Sequence, residues 1–505
     1  MRRSAFSVSS LILFLFGVLI FQTAVFAAEA SGSDVENLRV ITGKAYENEY
    51  TEEDYTTLLD FEYAAAFLTD EEASKYPDLS KSLEEYNSMR KDKIMSDFEA
   101  WRPEALVMYE DMPEYFNGFF EKYDLLLARA DSRVLSFFEP VSMYTGGAHG
   151  SYGREGWNYD TAAGKLLTLS DISPDPAKLL KRVRDLVKEK YPDLSFMDDN
   201  FFTVEHEADF SYVLTNEGLD FYIGPYMLAS FAEGAQNVFV PYKGNEDLFN
   251  EKYTIAPECY TQALPLNENV LLDLDNDGDM ETVNIYPEQD EYYNYRQIHV
   301  YIDEQDYPVE CYCFGITPLF VHGRDGNYLY VEQTLENDYR KLYLYSIGAD
   351  GVEEITDLEC GFMSVIGVSD GYSCREMITD PDSFQLESRT DALSTSSISR
   401  KYHIGEGGIP VPDEEMWTIK TGRELTVLKE FSVDIIDEDG NVLEEGVTIA
   451  PGEKVTTFRT DDQEKIDVRT SDGRIARIKI DLTSWPMKIE GTDVNEIFDG
   501  MMYAG

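Results

Sequence analysis

Apolar positions divide the chain into stretches of different period. Between Thr51 and Trp101, Leu58, Leu59, Tyr63, Ala66 and Phe67, then Leu83, Tyr86, Met89, Ile94 and Phe98, recur at near-helical spacing among charges, which predicts helix. From Tyr123 the texture changes to alternating, β-branched or aromatic stretches that predict sheet, ending in the glycine cluster Gly146-Gly147-Ala148-His149-Gly150. A second helix is expected to open with Asp175 as N-cap and Pro176 at its first position. Leu179, Leu180, Val183, Leu186 and Val187 form its buried stripe, and Tyr191-Pro192 ends it. The other face carries Lys178, Lys181, Arg182, Arg184, Lys188 and Lys190, which reads as a solvated face whose cations meet acidic neighbours.

Polar Gly244-Asn245-Glu246-Asp247, followed by Pro257 and Pro265, predicts a linker over 251–265. Beyond it the chain is nearly all strand and turn. Tyr328-Leu329-Tyr330-Val331 and Lys341-Leu342-Tyr343-Leu344-Tyr345 lie beside Asp/Gly turns, the pattern of a β-rich domain. A last unit has Asp437-Glu438-Asp439-Gly440-Asn441 and Ser471-Asp472-Gly473 as turns between short strands, small enough for an open barrel. The expected organisation is a helical segment at 28–104, an α+β domain at 105–250, the linker, a β-rich domain at 266–420 and a small barrel at 421–505.

Composition adds a fold and an address. The 505 residues are 43% hydrophobic and 13% aromatic, enough for several cores. Met1-Arg2-Arg3, the apolar run from Leu11 to Phe21 and Val25-Phe26-Ala27 before Ala28 read as a secretory signal peptide over 1–27, with an uncleaved anchor as the alternative. After cleavage no transmembrane segment is expected, and the protein is released or held to the envelope non-covalently. A net charge of −55, or −57 once Arg2 and Arg3 are removed, repels phosphate backbones and argues against nucleic-acid binding. The five cysteines (Cys259, Cys311, Cys313, Cys360 and Cys374) are odd in number and absent before residue 259. Cys311 and Cys313 share one face of a strand and are expected to suit separate partners better than each other.

The strongest single motif is Asp273-Leu-Asp275-Asn-Asp277-Gly278-Asp279-Met-Glu281. Carboxylates at alternate positions, with glycine for the sharp turn, can wrap around a hard cation, and structural calcium is the expectation. A full EF-hand is excluded, because Asn284 stands where the bidentate Glu would be and both flanks look like strands. The loop is similar to calcium loops between strands of secreted β-propeller-like repeats, with Glu281 closing the shell; the alternative is an acidic turn without metal. Gly367-Val-Ser369-Asp-Gly371 fits a nucleophile elbow but lacks the helix that must follow, so it reads as a turn. His206-Glu207 lacks a second His four residues on. No catalytic residue is marked, and a paired-carboxylate glycosidase stays open because 97 acids offer many pairs.

Tyr144-Thr145-Gly146-Gly147-Ala148-His149-Gly150, followed by Trp157-Asn158-Tyr159-Asp160 and Gly164 to Asp171, resembles a bacterial envelope domain of unknown function. That domain is shared by PdaC-type peptidoglycan deacetylases and RsiV-type lysozyme-sensing anti-sigma factors. A second block, Phe221-Tyr222-Ile223-Gly224-Pro225-Tyr226 through Val238-Phe239-Val240-Pro241-Tyr242, completes the resemblance over about 105–250. Where the family has Ala-Pro-Tyr, this chain has Ala229-Ser230-Phe231. The final unit is similar to bacterial SH3-like barrels. The resemblance implies a PdaC/RsiV-like α+β domain, a propeller-like β domain and an SH3-like barrel, in a secreted non-catalytic protein that binds a cell-wall glycan or a lysozyme-type protein. Tyr144, His149, Tyr222 and Tyr226 are its candidate ligand contacts. The competing class is a cell-wall glycan or protein hydrolase.

Overall fold

The computed structural model describes residues 34–195, 197–365 and 371–504. The expected signal peptide lies outside the described residues, as does most of the Gly367–Gly371 motif.

β1 (Val40–Tyr50) and β2 (Thr57–Leu68) form an antiparallel pair, so residues 57–68 are strand where the spacing predicted helix. The reason is burial on both faces. Leu59, Phe61 and Tyr63 enter one core and Ala64, Ala66 and Leu68 another. A strand covered on both sides loses its alternation, and its apolar run then imitates helical spacing. Helix starts later, with a short one over Asp70–Lys75 and then α1 (Pro77–Asp111), which has Pro77 in its first turn and buries Leu79, Leu83, Tyr86 and Ile94. Asn87 fastens it to the sheet: its amide donates to the Ala66 carbonyl and accepts the Ala66 N–H, both at 2.9 Å. Of the expected helical segment at 28–104, the described part, 34–104, is therefore not a helical segment apart. β2 pairs in parallel with β3 (Phe119–Tyr123), and β4 (Leu126–Ala130), β5 (Val134–Tyr144) and β6 (Ser151–Asp160) extend the same sheet.

α2 (Pro176–Lys190) forms as its sequence predicts, with the Asp175 carboxylate accepting the Lys178 N–H at 3.1 Å. Its stripe packs on β7 (Ser211–Leu214), β8 (Gly218–Ile223) and β9 (Gln236–Pro241), paired in the order β9-β8-β7. The outer cations meet acids: Lys178 with Asp247, Lys181 with Asp185 at 2.6 Å and Lys188 with Asp199 at 2.5 Å.

The expected linker is ordered. Within it β10 (Tyr260–Ala263) is wholly buried, and the prolines and charges that suggested a loop only flank it. Two antiparallel sheets follow: β11 (Asn269–Leu272), β12 (Glu281–Gln289), β13 (Tyr295–Ile302) and β14 (Gln305–Cys313) in one, and β15 (Gly315–His322), β16 (Asn327–Thr334), β17 (Arg340–Gly348) and β18 (Gly351–Leu358), edged by β10, in the other. Their inner faces share a core of Leu272, Val283, Ile285, Ile298, Val300, Phe320, Leu329 and Val331. The chain then returns to the N-terminal sheet, where β19 (Ser373–Glu376) pairs with β1. The C-terminal strands β20 (Glu424–Val427), β21 (Phe431–Ile436), β22 (Val442–Ile449), β23 (Lys454–Thr460), β24 (Lys465–Thr470) and β25 (Ile475–Lys479) pair in the order β20-β23-β24-β25-β21-β22. They surround one core that includes Leu425, Val433, Val455, Val468 and Ile478. No break in pairing falls at 420, because Trp417 and Thr418 pair with Thr460 and Arg459 of β23.

The protein is thus multi-domain and strand-rich, with few helices and large sheets. Among the described residues no helix is long and apolar enough to cross a membrane. All five cysteines are free thiols.

Candidate functional site: an aromatic face and an acidic loop

The β5–β6 reversal depends on Gly146 and Gly147, at φ +89° and +97°, a region closed to most side chains. The reversal carries His149 outward. Its Nδ1–H donates to the Gly150 carbonyl at 2.8 Å, and its ring lies flat on Phe231, with centroids 4.1 Å apart and planes at 17°. Phe231 belongs to the chain between β8 and β9. There Ser230 and Glu233 cap each other, and Glu233 also takes the Ser195 N–H at 3.1 Å and the Ser195 hydroxyl at 2.6 Å. Those hydrogen bonds hold the Glu233 carboxyl down at about 2. Tyr226 and Tyr152 complete the cluster, 5.7 and 5.5 Å from Phe231 centroid to centroid. Their side chains are largely in solvent, Tyr226 at 61% and Tyr152 at 43% exposure. Tyr226 adopts φ +69°, which strains a side chain of its size.

Of the four candidate contacts, the structure brings His149 and Tyr226 together and leaves the other two elsewhere. Tyr222 is buried on β8 facing the Arg154 guanidinium at 5.6 Å, and burial pushes its phenol up. Tyr144 stacks on Phe120 at 6.0 Å and donates to the Gly147 carbonyl at 3.2 Å, which braces the turn. Two members of the face escaped the sequence reading. Tyr152 follows the glycine cluster directly, and strand alternation could have singled it out. Phe231, the hub, lies in the Ala229-Ser230-Phe231 segment.

The acidic loop joins β11 to β12. Carboxylate oxygens of Asp273, Asp275 and Glu281 come within 4.8 Å of one another. The other two acids do not join them: Asp277 accepts the Asp279 N–H at 2.7 Å, and Asp279 points to solvent. Asp275 takes the Asp277 N–H at 3.1 Å and Glu281 the Leu274 N–H at 2.8 Å, so the turn is held by the acids themselves. Asp273 Oδ1 is buried and has no hydrogen-bond partner among the described residues. Three hard oxygen donors, one of them buried and unpaired, fit a hard divalent cation such as calcium.

Two neighbours of this loop come from distant sequence. Glu217, between β7 and β8, accepts the Asp273 N–H at 3.1 Å and the Tyr260 hydroxyl at 2.7 Å. Burial, with the Asp273 and Glu281 charges, pushes its carboxyl up to about 7. Lys243 lies against Gly278, and its ammonium donates to the Asn276 carbonyl at 3.4 Å.

No known family model matches the chain, and no curated protein does. Among solved structures, it is similar to a member of the DUF3298 family from Bacteroides fragilis, at 15% identity over 43% of this chain and 95% of that one, with a TM-score of 0.33. It is also similar to a DUF3298 family protein from Pseudomonas aeruginosa, at 17% identity over 44% of this chain and 97% of that one, with a TM-score of 0.26.

Proposed function

We propose that the chain is a secreted, non-catalytic protein of the bacterial envelope that binds a cell-wall glycan on the face formed by His149, Phe231, Tyr226 and Tyr152. In this reading residues 105–250 are the PdaC/RsiV-like domain, the sheets with the acidic loop are propeller-like, and the C-terminal strands form an SH3-like barrel. The aromatic face carries the proposal. Sugar rings present C–H faces that pack on aromatic rings, while their hydroxyls keep hydrogen-bonding neighbours such as Glu233 beside them. A contiguous exposed apolar patch with a polar rim is a common mark of a binding surface.

Glu233, the carboxylate bonded next to this face, also favours binding over hydrolysis. A glycosidase needs a carboxylic acid with a raised pKa, and four hydrogen bonds from Ser195 and Ser230 keep Glu233 ionised. Calcium at Asp273, Asp275 and Glu281 belongs to the same reading as a structural ion, supported by the convergence of the three carboxylates and the unpaired Asp273 oxygen. Bound there, it would offset part of the loop's negative charge.

Isothermal titration calorimetry with soluble peptidoglycan fragments tests the proposal. Saturable heat that Phe231→Ala removes is expected, and no heat with the intact chain would end the reading. A second reading, capture of a basic lysozyme-type protein, is favoured by the net charge of −55. It requires binding that survives about 0.3 M salt, where the Debye length is only about 6 Å.

A further inference from the structure

Cys311 and Cys313 end β14. Burial alternates along this strand: Tyr307, Val309, Cys311 and Cys313 turn inward, while Asp306, Pro308, Glu310 and Tyr312 turn out. In a regular strand two such neighbours stand about 6.8 Å apart at Cα, the outer edge of what a disulfide can bridge. The strand is not regular here. Tyr295 faces Cys313 and Gln297 faces Glu310, so two steps along β13 are matched by three along β14. The extra residue falls in the Cys-Tyr-Cys segment, and a bulge bends its strand and turns its side chains. Both side chains therefore stand on one face of the strand, at the bulge itself.

The two thiols are differently placed. Cys313 is 1% exposed, whereas Cys311 is half-buried. The neighbouring Cys313 thiol, with the Arg296 guanidinium nearby, lowers the Cys311 pKa, while Cys311 together with burial raises that of Cys313. Arg296 is itself fixed, bonded through Nε to Asp290 at 2.7 Å and lying 4.1 Å from the Tyr312 ring centroid. The remaining thiols contrast with Cys311: burial pushes Cys259 and Cys360 up to about 11 and about 12 and also raises Cys374.

We propose that Cys311 and Cys313 form a thiol–disulfide exchange site for small-molecule disulfides, with Cys311 as the attacking thiol and Cys313 as the resolving one. The Cys311 thiolate attacks one sulfur of a disulfide RS–SR, forming Cys311–S–SR and releasing RS⁻, which takes up a proton. Cys313 then gives its proton to solvent and attacks the Cys311 sulfur. The Cys311–Cys313 bond closes and the second RS⁻ leaves, to be protonated in turn. Two protein thiols are oxidised while one disulfide is reduced to two thiols, so the electrons balance. The half-buried position of Cys311 favours a small disulfide over a protein one. A link between neighbours this close in sequence, at the limit of strand spacing, is expected to reopen with thiol and so to act reversibly.

The full chain, equilibrated without oxygen in buffers of reduced and oxidised glutathione, then acid-quenched and alkylated, gives the test by mass spectrometry. The tryptic peptide between Arg296 and Arg324 holds both cysteines and no other. As oxidised glutathione rises it is expected to escape alkylation at both cysteines, at a mass two hydrogens below the unalkylated dithiol, and with reduced glutathione to return to the doubly alkylated form. Cys259, Cys360 and Cys374 should stay as thiols. In Cys313→Ser, glutathione should remain attached to Cys311; in Cys311→Ser, an adduct at Cys313 should form at least about tenfold more slowly. A peptide that stays dithiol across the whole range, one that cannot be reopened by glutathione, or first attachment at Cys313 would each overturn the proposal. The native chain decides this even if a variant fails to fold.

Discussion

The imidazole of His149 lies flat on the ring of Phe231, 4.1 Å between centroids, and so joins the glycine-rich β5–β6 reversal to the segment between β8 and β9. Neither loop has a large core of its own. The segment between β8 and β9 is seated by Leu228, buried in the core beneath α2, and by the Ser195–Glu233 hydrogen bonds, and the stack gives the exposed Tyr152 and Tyr226 rings a common floor.

Tyr226 separates binding from stability. At φ +69° and 61% exposure its side chain adds strain and little burial. Tyr226→Gly removes a left-handed penalty of about 1–2 kcal/mol and adds back about 0.5–1 kcal/mol of chain entropy. The melting temperature should therefore be no lower than in the parent chain, while affinity for peptidoglycan fragments falls by about five- to tenfold. Tyr222→Ala, in the buried strand, should instead destabilise by about 3 kcal/mol, which calorimetric unfolding would show.

A buried ion pair holds α1 on its sheet. Arg90, 1% exposed, bonds both oxygens of Glu139, which is fully buried and also accepts from Tyr86 at 2.6 Å and Trp157 at 2.8 Å. Glu139→Ala leaves the buried guanidinium with only the partly exposed Glu155, 2.6 Å away, as carboxylate partner, and should cost about 3 kcal/mol in denaturant unfolding. Replacing both partners, Arg90→Met with Glu139→Leu, should recover much of that loss. A double variant as unstable as the single one would show that the pair contributes more than relief of an under-paired buried charge.

Calcium should stabilise the chain by binding its folded form. With a dissociation constant of about 0.1–1 mM, usual for extracellular sites, a few millimolar calcium is worth about 1–2 kcal/mol. Differential scanning calorimetry with calcium and with chelator should show a shift that Asp275→Ala abolishes and Asp437→Ala, in an ordinary turn, preserves. An equal shift in the Asp275→Ala chain would mean that calcium acts elsewhere.

Glu233 gives the aromatic face a defined acid limit. Hydrogen bonds from Ser195 and Ser230 depress its folded pKa to about 2, below an ordinary value of 4.5. A depressed carboxylate contributes stability that is present above its ordinary pKa and is lost as pH falls through the folded one. The Ser230–Gly234 turn should thus hold at neutral pH, weaken below about pH 4.5 and release near pH 2. The carboxyl carbon of Glu233, followed by NMR, should titrate near 2; a midpoint near 4.5 would show that the serines do not hold it.

Local patterns settled what local physics controls. Asp175, Pro176 and the apolar stripe from Leu179 to Val187 specify α2 without outside help, because cap and stripe lie within one helix. The glycines at 146 and 147 specify a reversal for the same reason, and the alternate acids from Asp273 to Glu281 specify a tight acidic turn. The charge of −55 and the five cysteines were equally plain in the sequence.

Tertiary structure decided the rest. Thr57–Leu68 became a strand because both its faces found cover, which no short window of sequence records. Tyr260–Ala263 became a buried strand because β15 offered it an edge, although prolines and charges surround it. Phe231 became the floor of the aromatic face because a chain segment from another hairpin laid His149 on it. Glu217 reached the acidic loop through a hairpin end, and Cys311 and Cys313 came to stand at a bulge, both of which depend on neighbouring strands. Burial and register are properties of pairs of segments, so they become fixed only when the whole chain packs.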